Sequence, residues 1–100
     1  MTEPDLIRKL TAGLPTDGSV HVGPGDDCAM VDMSMVGDYL LFKTDAIVEG
    51  IHFTADTPPK KIGRKAIARP LSDIAAMGGW PTHALITLGL PEGCDEERLV

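Results

Sequence analysis

The chain has 100 residues, of which 43% are hydrophobic and 24% charged. That composition excludes a disordered polar chain and suits one small domain burying roughly 60–65% of its unfolded surface. A net charge of −6 disfavours nucleic acid or an anionic membrane as a direct partner, so a phosphate ligand would need metal ions to bridge acid to acid.

Aromatic residues are only 4% of the chain, so the expected core is aliphatic, built from Ile, Leu, Val, Ala and Met. No stretch approaches the roughly 20 apolar residues of a membrane span, and the opening MTEPDLIRKL does not read as a signal peptide. Cys28 and Cys94 lie far apart and form no CxxC pair, which reads as two reduced thiols. A soluble, cytoplasmic protein is the expectation.

Residues 4–12 pattern as a short amphipathic helix. Thr2 or Glu3 precedes it, Pro4 suits its first turn, Leu6, Ile7 and Leu10 share a face, and Gly13 closes it. Pro15 to Gly18 is turn chemistry. The stretch HVGPGDDCAM at 21–30 then brings an irregular Gly-Pro-Gly backbone directly onto paired aspartates. Adjacent carboxylates repel, so Asp26 and Asp27 call for solvent, a cation or backbone donors. A solvated turn in which one of them caps its own backbone is the plain alternative.

Cys28 to Val31 is apolar enough for a strand, Asp32 to Asp38 reads as a connection, and Tyr39 to Lys43 as a second strand. A hairpin between the two would put Asp27 and Asp45 at the same end of a sheet. The stretch TDAIVEGIHF at 44–53 follows, with Thr44 and Asp45 at a strand end, where side chains are both supported and accessible. They also read as ordinary strand-end polar groups. His21, His52 and His83 are too dispersed for a zinc site, and a lone histidine such as His52 is commonly a core or surface residue.

Thr57-Pro58-Pro59 is a helix start, with Thr57 as N-cap, and residues 60–77 carry apolar residues near helical spacing up to the Gly78-Gly79 stop. Pro70 is expected to kink that helix or split it. In the split case Ser72 or Asp73 merely caps the second half. Lys60, Lys61, Arg64, Lys65 and Arg69 form either a solvated helix face or a rim that attracts phosphate. ALITLGL at 84–90 reads as a buried strand, and Asp95 caps a helix starting at Glu96. That helix has barely one turn by Val100, so the domain is expected to be incomplete at its C-terminal end. Taken together, the acidic sites at 26–27, 45 and 73 read as converging on magnesium and a polyphosphate.

GDDCAMVD at 25–32, TDAIVEGIHF at 44–53 and LSDIAAMGGWP at 71–81 resemble the N-terminal domain of the thiamine-monophosphate kinases. These belong to the superfamily that includes aminoimidazole ribonucleotide synthetase, selenophosphate synthetase and a hydrogenase maturation factor. The VEGIHF string points to the thiamine branch. The Cys-Lys pair of selenophosphate synthetases and the TDGVGTK-like string of the purine enzyme are both missing.

The resemblance implies an α/β (α+β) domain over 1–100 with a mostly antiparallel or mixed sheet, helices on one face and pairing across a homodimer. It implies ATP-dependent phosphorylation of thiamine monophosphate to thiamine diphosphate by magnesium-assisted in-line transfer, with ATP as co-substrate. Asp27, Thr44, Asp45 and Asp73 would hold Mg2+, and His52 would contact thiamine monophosphate; no catalytic nucleophile is implied. The nucleotide motif and C-terminal domain of the family fall beyond residue 100, so the chain alone is expected to be inactive. Lys43 stands where the family usually has Ser or Thr, and Arg69-Pro70 where it usually has Val-Asn. Two other readings remain: a different ATP-dependent member of the superfamily, of selenophosphate synthetase or purine-synthesis type, and a non-catalytic dimerising domain.

Overall fold

The computed structural model describes residues 2–34, 37 and 39–99. They carry helix α1 (Glu3–Thr11), strands β1 (Val20–Val22) and β2 (Met30–Val31), helix α2 (Pro59–Ala76) and a terminal 3-10 turn, Glu96–Leu99. The class is α+β, with one two-stranded antiparallel sheet among the described residues. The chain divides into two compact units, residues 1–39 with 93–100, and residues 40–92.

In the first unit, α1 starts where the residue types demand it. Thr2 is the N-cap, its hydroxyl oxygen accepting from the Asp5 N–H at 3.3 Å while the Asp5 carboxylate accepts from the Thr2 N–H at 3.2 Å. This reciprocal capping box satisfies donors that the first helical turn leaves free. Arg8 pairs with Asp5 one turn on. The apolar stripe buries Leu6, the one buried hydrophobic side chain among the described residues. Ala12 is the C-cap, with Gly13 beyond it at φ 82°.

The expected hairpin of residues 28–31 with 39–43 does not form. β2 pairs with β1, Val20 opposite Val31 and Val22 opposite Met30, with an irregularity between Val20 and Val22. Asp32 N–H donates to the Ser19 carbonyl at 2.6 Å beside this ladder. Val20–Val22 supplies the nearer β-branched partner, and the loop it closes, with glycines at 23 and 25, is short. Part of the connection expected over 32–38 (residues 35, 36 and 38) lies outside the described residues. At the far end Asp95 caps as expected, its carboxylate accepting from Glu97 N–H at 3.1 Å, and the turn it starts is 3-10. Residue 100, the last of the expected helix, lies outside the described residues.

In the second unit, α2 runs unbroken through Pro70. Proline removes one backbone donor from the ladder, yet the turns on either side hold, so Asp73 sits inside a helix and caps nothing. Pro58 is the N-cap, and the Thr57 hydroxyl instead accepts from Thr54 N–H at 3.0 Å. Met77 and Gly78 end the helix, Gly78 at φ 70°. Neither 39–43 nor 84–90 is part of a ladder. The expected aliphatic core is accordingly not assembled: Phe42 is 90% and Leu85 93% exposed. A strand buries an apolar face only when a neighbour satisfies its backbone groups. No helix among the described residues is long and apolar enough to cross a membrane.

Replacing Thr2 with Ala removes the cap and is expected to weaken α1 by about 0.5–2 kcal/mol, read as lost far-UV ellipticity. The Thr2 hydroxyl and N–H hold the Asp5 carboxyl below the usual aspartate range. Its contribution is therefore present above that range and fades as pH falls through the lowered value. Acid titration of the ellipticity should show a step that Asp5→Asn lacks.

Candidate functional site

Lys65, Arg69 and Asp73 recur at four-residue spacing on α2, which puts them on one face of the helix. Each meets the segment 43–53. Lys65 Nζ donates to the His52 carbonyl at 2.5 Å, Arg69 Nη2 lies 3.6 Å from Asp45 Oδ1, and Asp73 Oδ2 lies 2.8 Å from Lys43 Nζ. Later helix positions meet earlier segment residues, so the segment runs back along the stripe. Two aspartates from separate motifs thereby share one patch of the second unit.

The patch has a definite charge pattern. Asp45 accepts from the Ala46 N–H at 2.8 Å. That bond, with the Arg69 and Lys43 charges behind it, holds the Asp45 carboxyl below the usual aspartate range. The Asp73 carboxylate, through its hydrogen bond and its charge, raises the Lys43 ammonium above the usual lysine range. Both shifts favour the ionised partners. The Asp45 side chain is 21% exposed and that of Asp73 53%. Thr44 lies between Lys43 and Asp45 in sequence and is exposed.

The VEGIHF stretch is a tight turn. Ile51 and His52 N–H both donate to the Val48 carbonyl, at 3.1 and 2.8 Å, and Gly50 N–H donates to Phe53 at 2.7 Å. Gly50 carries φ 85°, the left-handed region that a side chain disfavours. The half-buried His52 ring is held in place, with Nδ1 accepting from Val48 N–H at 2.9 Å. A neutral ring that accepts at Nδ1 carries its proton on Nε2. His52 thus presents one donor away from its own turn.

Asp27 belongs to the first unit, in the loop between β1 and β2. The Asp26 carboxylate accepts from Asp27 N–H at 2.8 Å, so the local cap foreseen for this pair is made by Asp26, and the Asp27 residue is exposed. Among the described residues no three of His, Cys, Asp or Glu converge closely enough to hold a metal. Sequence reasoning left Lys65 and Arg69 on either a solvated helix face or a phosphate-attracting rim and took Lys43 and Arg69-Pro70 as departures, and so missed that all three cations reach into this patch. The signal was available in the 65–69–73 spacing, once the helix was known to run through Pro70.

Residues 25–100 match the family described as AIR synthase related protein, N-terminal domain. The chain is similar to the thiamine-monophosphate kinase of Bacillus subtilis (strain 168), 39% identical over 100 residues, covering 99% of this chain and 30% of that protein. It is 41% identical over 93 residues to the enzyme of that name from Haemophilus influenzae, covering 91% of this chain and 28% of that protein. With the one from Synechococcus elongatus it shares 47% over 90 residues, covering 89% of this chain and 26% of that protein. The chain therefore spans less than a third of the length of these relatives. No solved structure gives a significant match.

A β-carbon at Gly50 would meet no atom within 4 Å, so the cost of Gly50→Ala is conformational, about 1–2 kcal/mol. The expected result is a lower urea midpoint with an unchanged slope, together with a shifted His52 ring resonance as the turn relaxes.

Proposed function

The chain belongs to the AIR synthase related protein family, as an N-terminal domain, and on that premise we propose that the protein carrying it transfers the γ-phosphoryl group of ATP to thiamine monophosphate, forming thiamine diphosphate. The observation that carries this reading is that Asp73 lies on one stripe of α2 and Asp45, from a second motif, meets the same stripe at Arg69. The names of the relatives supply the substrate.

Phosphoryl transfer asks a protein for alignment and charge neutralisation more than for a covalent nucleophile. The available donors are carboxylate and hydroxyl oxygens, the hard ligands that magnesium takes. Magnesium commonly binds through one or two carboxylates and completes its shell with water and substrate phosphates. A pair such as Asp45 and Asp73, both already drawing cations, fits that habit without a third acidic neighbour. Thr44, Asp45 and Asp73 would hold Mg2+, and Asp27, within its own unit, is proposed as a magnesium ligand too. When bound, the metal supplies neutralisation of the polyphosphate charge. His52 would donate from Nε2 to thiamine monophosphate, its ring orientation set by Val48 N–H.

The finer architecture belongs to the same proposal: one domain over 1–100, a mostly antiparallel or mixed sheet with helices on one face, and pairing across a homodimer. Phe42, Ile51, Leu85 and Ile86, all strongly exposed in the second unit, support it, because apolar runs of this size call for a covering partner. The free thiols of Cys28 and Cys94 accord with a cytoplasmic location. Activity is proposed for the whole protein, and the chain alone is expected to be inert. Lys43 and Arg69, lying on the two carboxylates, favour one rival, a different ATP-dependent reaction of the same superfamily.

A panel of small-molecule acceptors with the whole protein separates the two. ADP formation that depends on thiamine monophosphate is expected, and turnover of another acceptor with none of this one overturns the assignment. Asp45→Asn is expected to lower turnover at limiting magnesium by at least about tenfold, with part of the loss recovered as magnesium is raised.

A further inference from the structure

Lys43 and Arg69 engage their carboxylates unequally. Lys43 Nζ sits 2.8 Å from Asp73 Oδ2, a full charge-assisted hydrogen bond. Arg69 Nη2 stands 3.6 Å from Asp45 Oδ1, beyond hydrogen-bond reach, and its Nε is buried without an acceptor. Asp73 is fixed in register by α2, whereas the ammonium rides on a flexible four-carbon stem with the Lys43 side chain 35% exposed. The strongly held cation thus sits on a stem long and flexible enough to release its carboxylate.

We propose that Lys43 is a built-in counter-ion that occupies Asp73 in the metal-free protein and must release it before a divalent cation binds, with Arg69 playing the same part weakly at Asp45. The proposal rests on the magnesium reading of this patch. Metal affinity is then set by competition with the protein's own ammonium. An aspartate bonded to Lys43 neutralises one unit of its charge internally, and a magnesium ion gains that attraction only by displacing it. The same pairing keeps the carboxylate compensated whenever the metal is absent, so the patch carries no unopposed repulsion between Asp45 and Asp73.

The test is a Mg2+ titration of the whole protein without nucleotide or thiamine, followed by calorimetry and by the metal-linked rise in melting temperature. Lys43→Met is expected to tighten Mg2+ binding roughly two- to fivefold, the range of a half-exposed ion pair. Lys43→Arg, which keeps the charge, should change it less. Arg69→Gln and Lys60→Met, the latter at the start of α2, should also have smaller effects. Lys43→Gln gives the same reading if methionine perturbs folding. Saturable wild-type binding that Lys43→Met leaves unchanged or weakens overturns the counter-ion role while sparing the magnesium site. Absence of saturable binding in wild type and in both uncharged Lys43 variants overturns the two together.

Discussion

The polar stripe of α2 is what the second unit depends on. Lys65, Arg69 and Asp73 each reach a different point of residues 43–53, and α2 has no buried residue of its own. A helix without a buried face is not held by apolar packing, the usual source of helical stability in proteins. It is held here by directed contacts whose positions are set by four-residue spacing. Those contacts also decide which chemistry is exposed, because the residues that fasten the segment are the charged neighbours of Asp45 and the carbonyl of His52.

Two glycines let the chain follow that stripe. Gly50 takes a left-handed backbone that turns the segment so that Val48 N–H meets the His52 ring. Gly79 serves by close approach: a β-carbon there would overlap Leu41 and lie 3.1 Å from Ile74 Cγ2. Leu41 stands just ahead of Lys43, so the missing side chain at 79 lets the residues before the ion pair pack down against the end of α2. The geometry of the acidic pair therefore depends on absent atoms as well as on the charges present.

The departures at 43 and 69 gain a physical meaning in this setting. Taken singly, a lysine where a hydroxyl is usual and an arginine before a proline look like losses. In the folded unit they form two ion pairs with the carboxylates proposed to hold magnesium. The Ala46 N–H, aided by the Arg69 and Lys43 charges, lowers the pKa of Asp45, and the hydrogen bond and charge of Asp73 raise that of Lys43. The acidic patch is compensated from within.

Local features were legible in the amino-acid order. The Thr2 cap, the extent of α2, the Asp95 cap and the three acidic motifs depend on neighbours a few residues apart, where spacing and residue type settle the hydrogen bonds. Pro70 left a kink or a split open, and the turns on either side of the lost donor exclude the split. The partner of β2 was not legible, since a strand accepts any suitable edge and the choice of Val20–Val22 over 39–43 is made in space. Nor was the pairing of Lys43 with Asp73 and Arg69 with Asp45, which joins positions distant in the chain. Sequence alone determined which oxygens and charges the protein owns and the family it belongs to. Tertiary structure decided which of them meet, because Coulomb attraction acts over ångströms that only folding brings about.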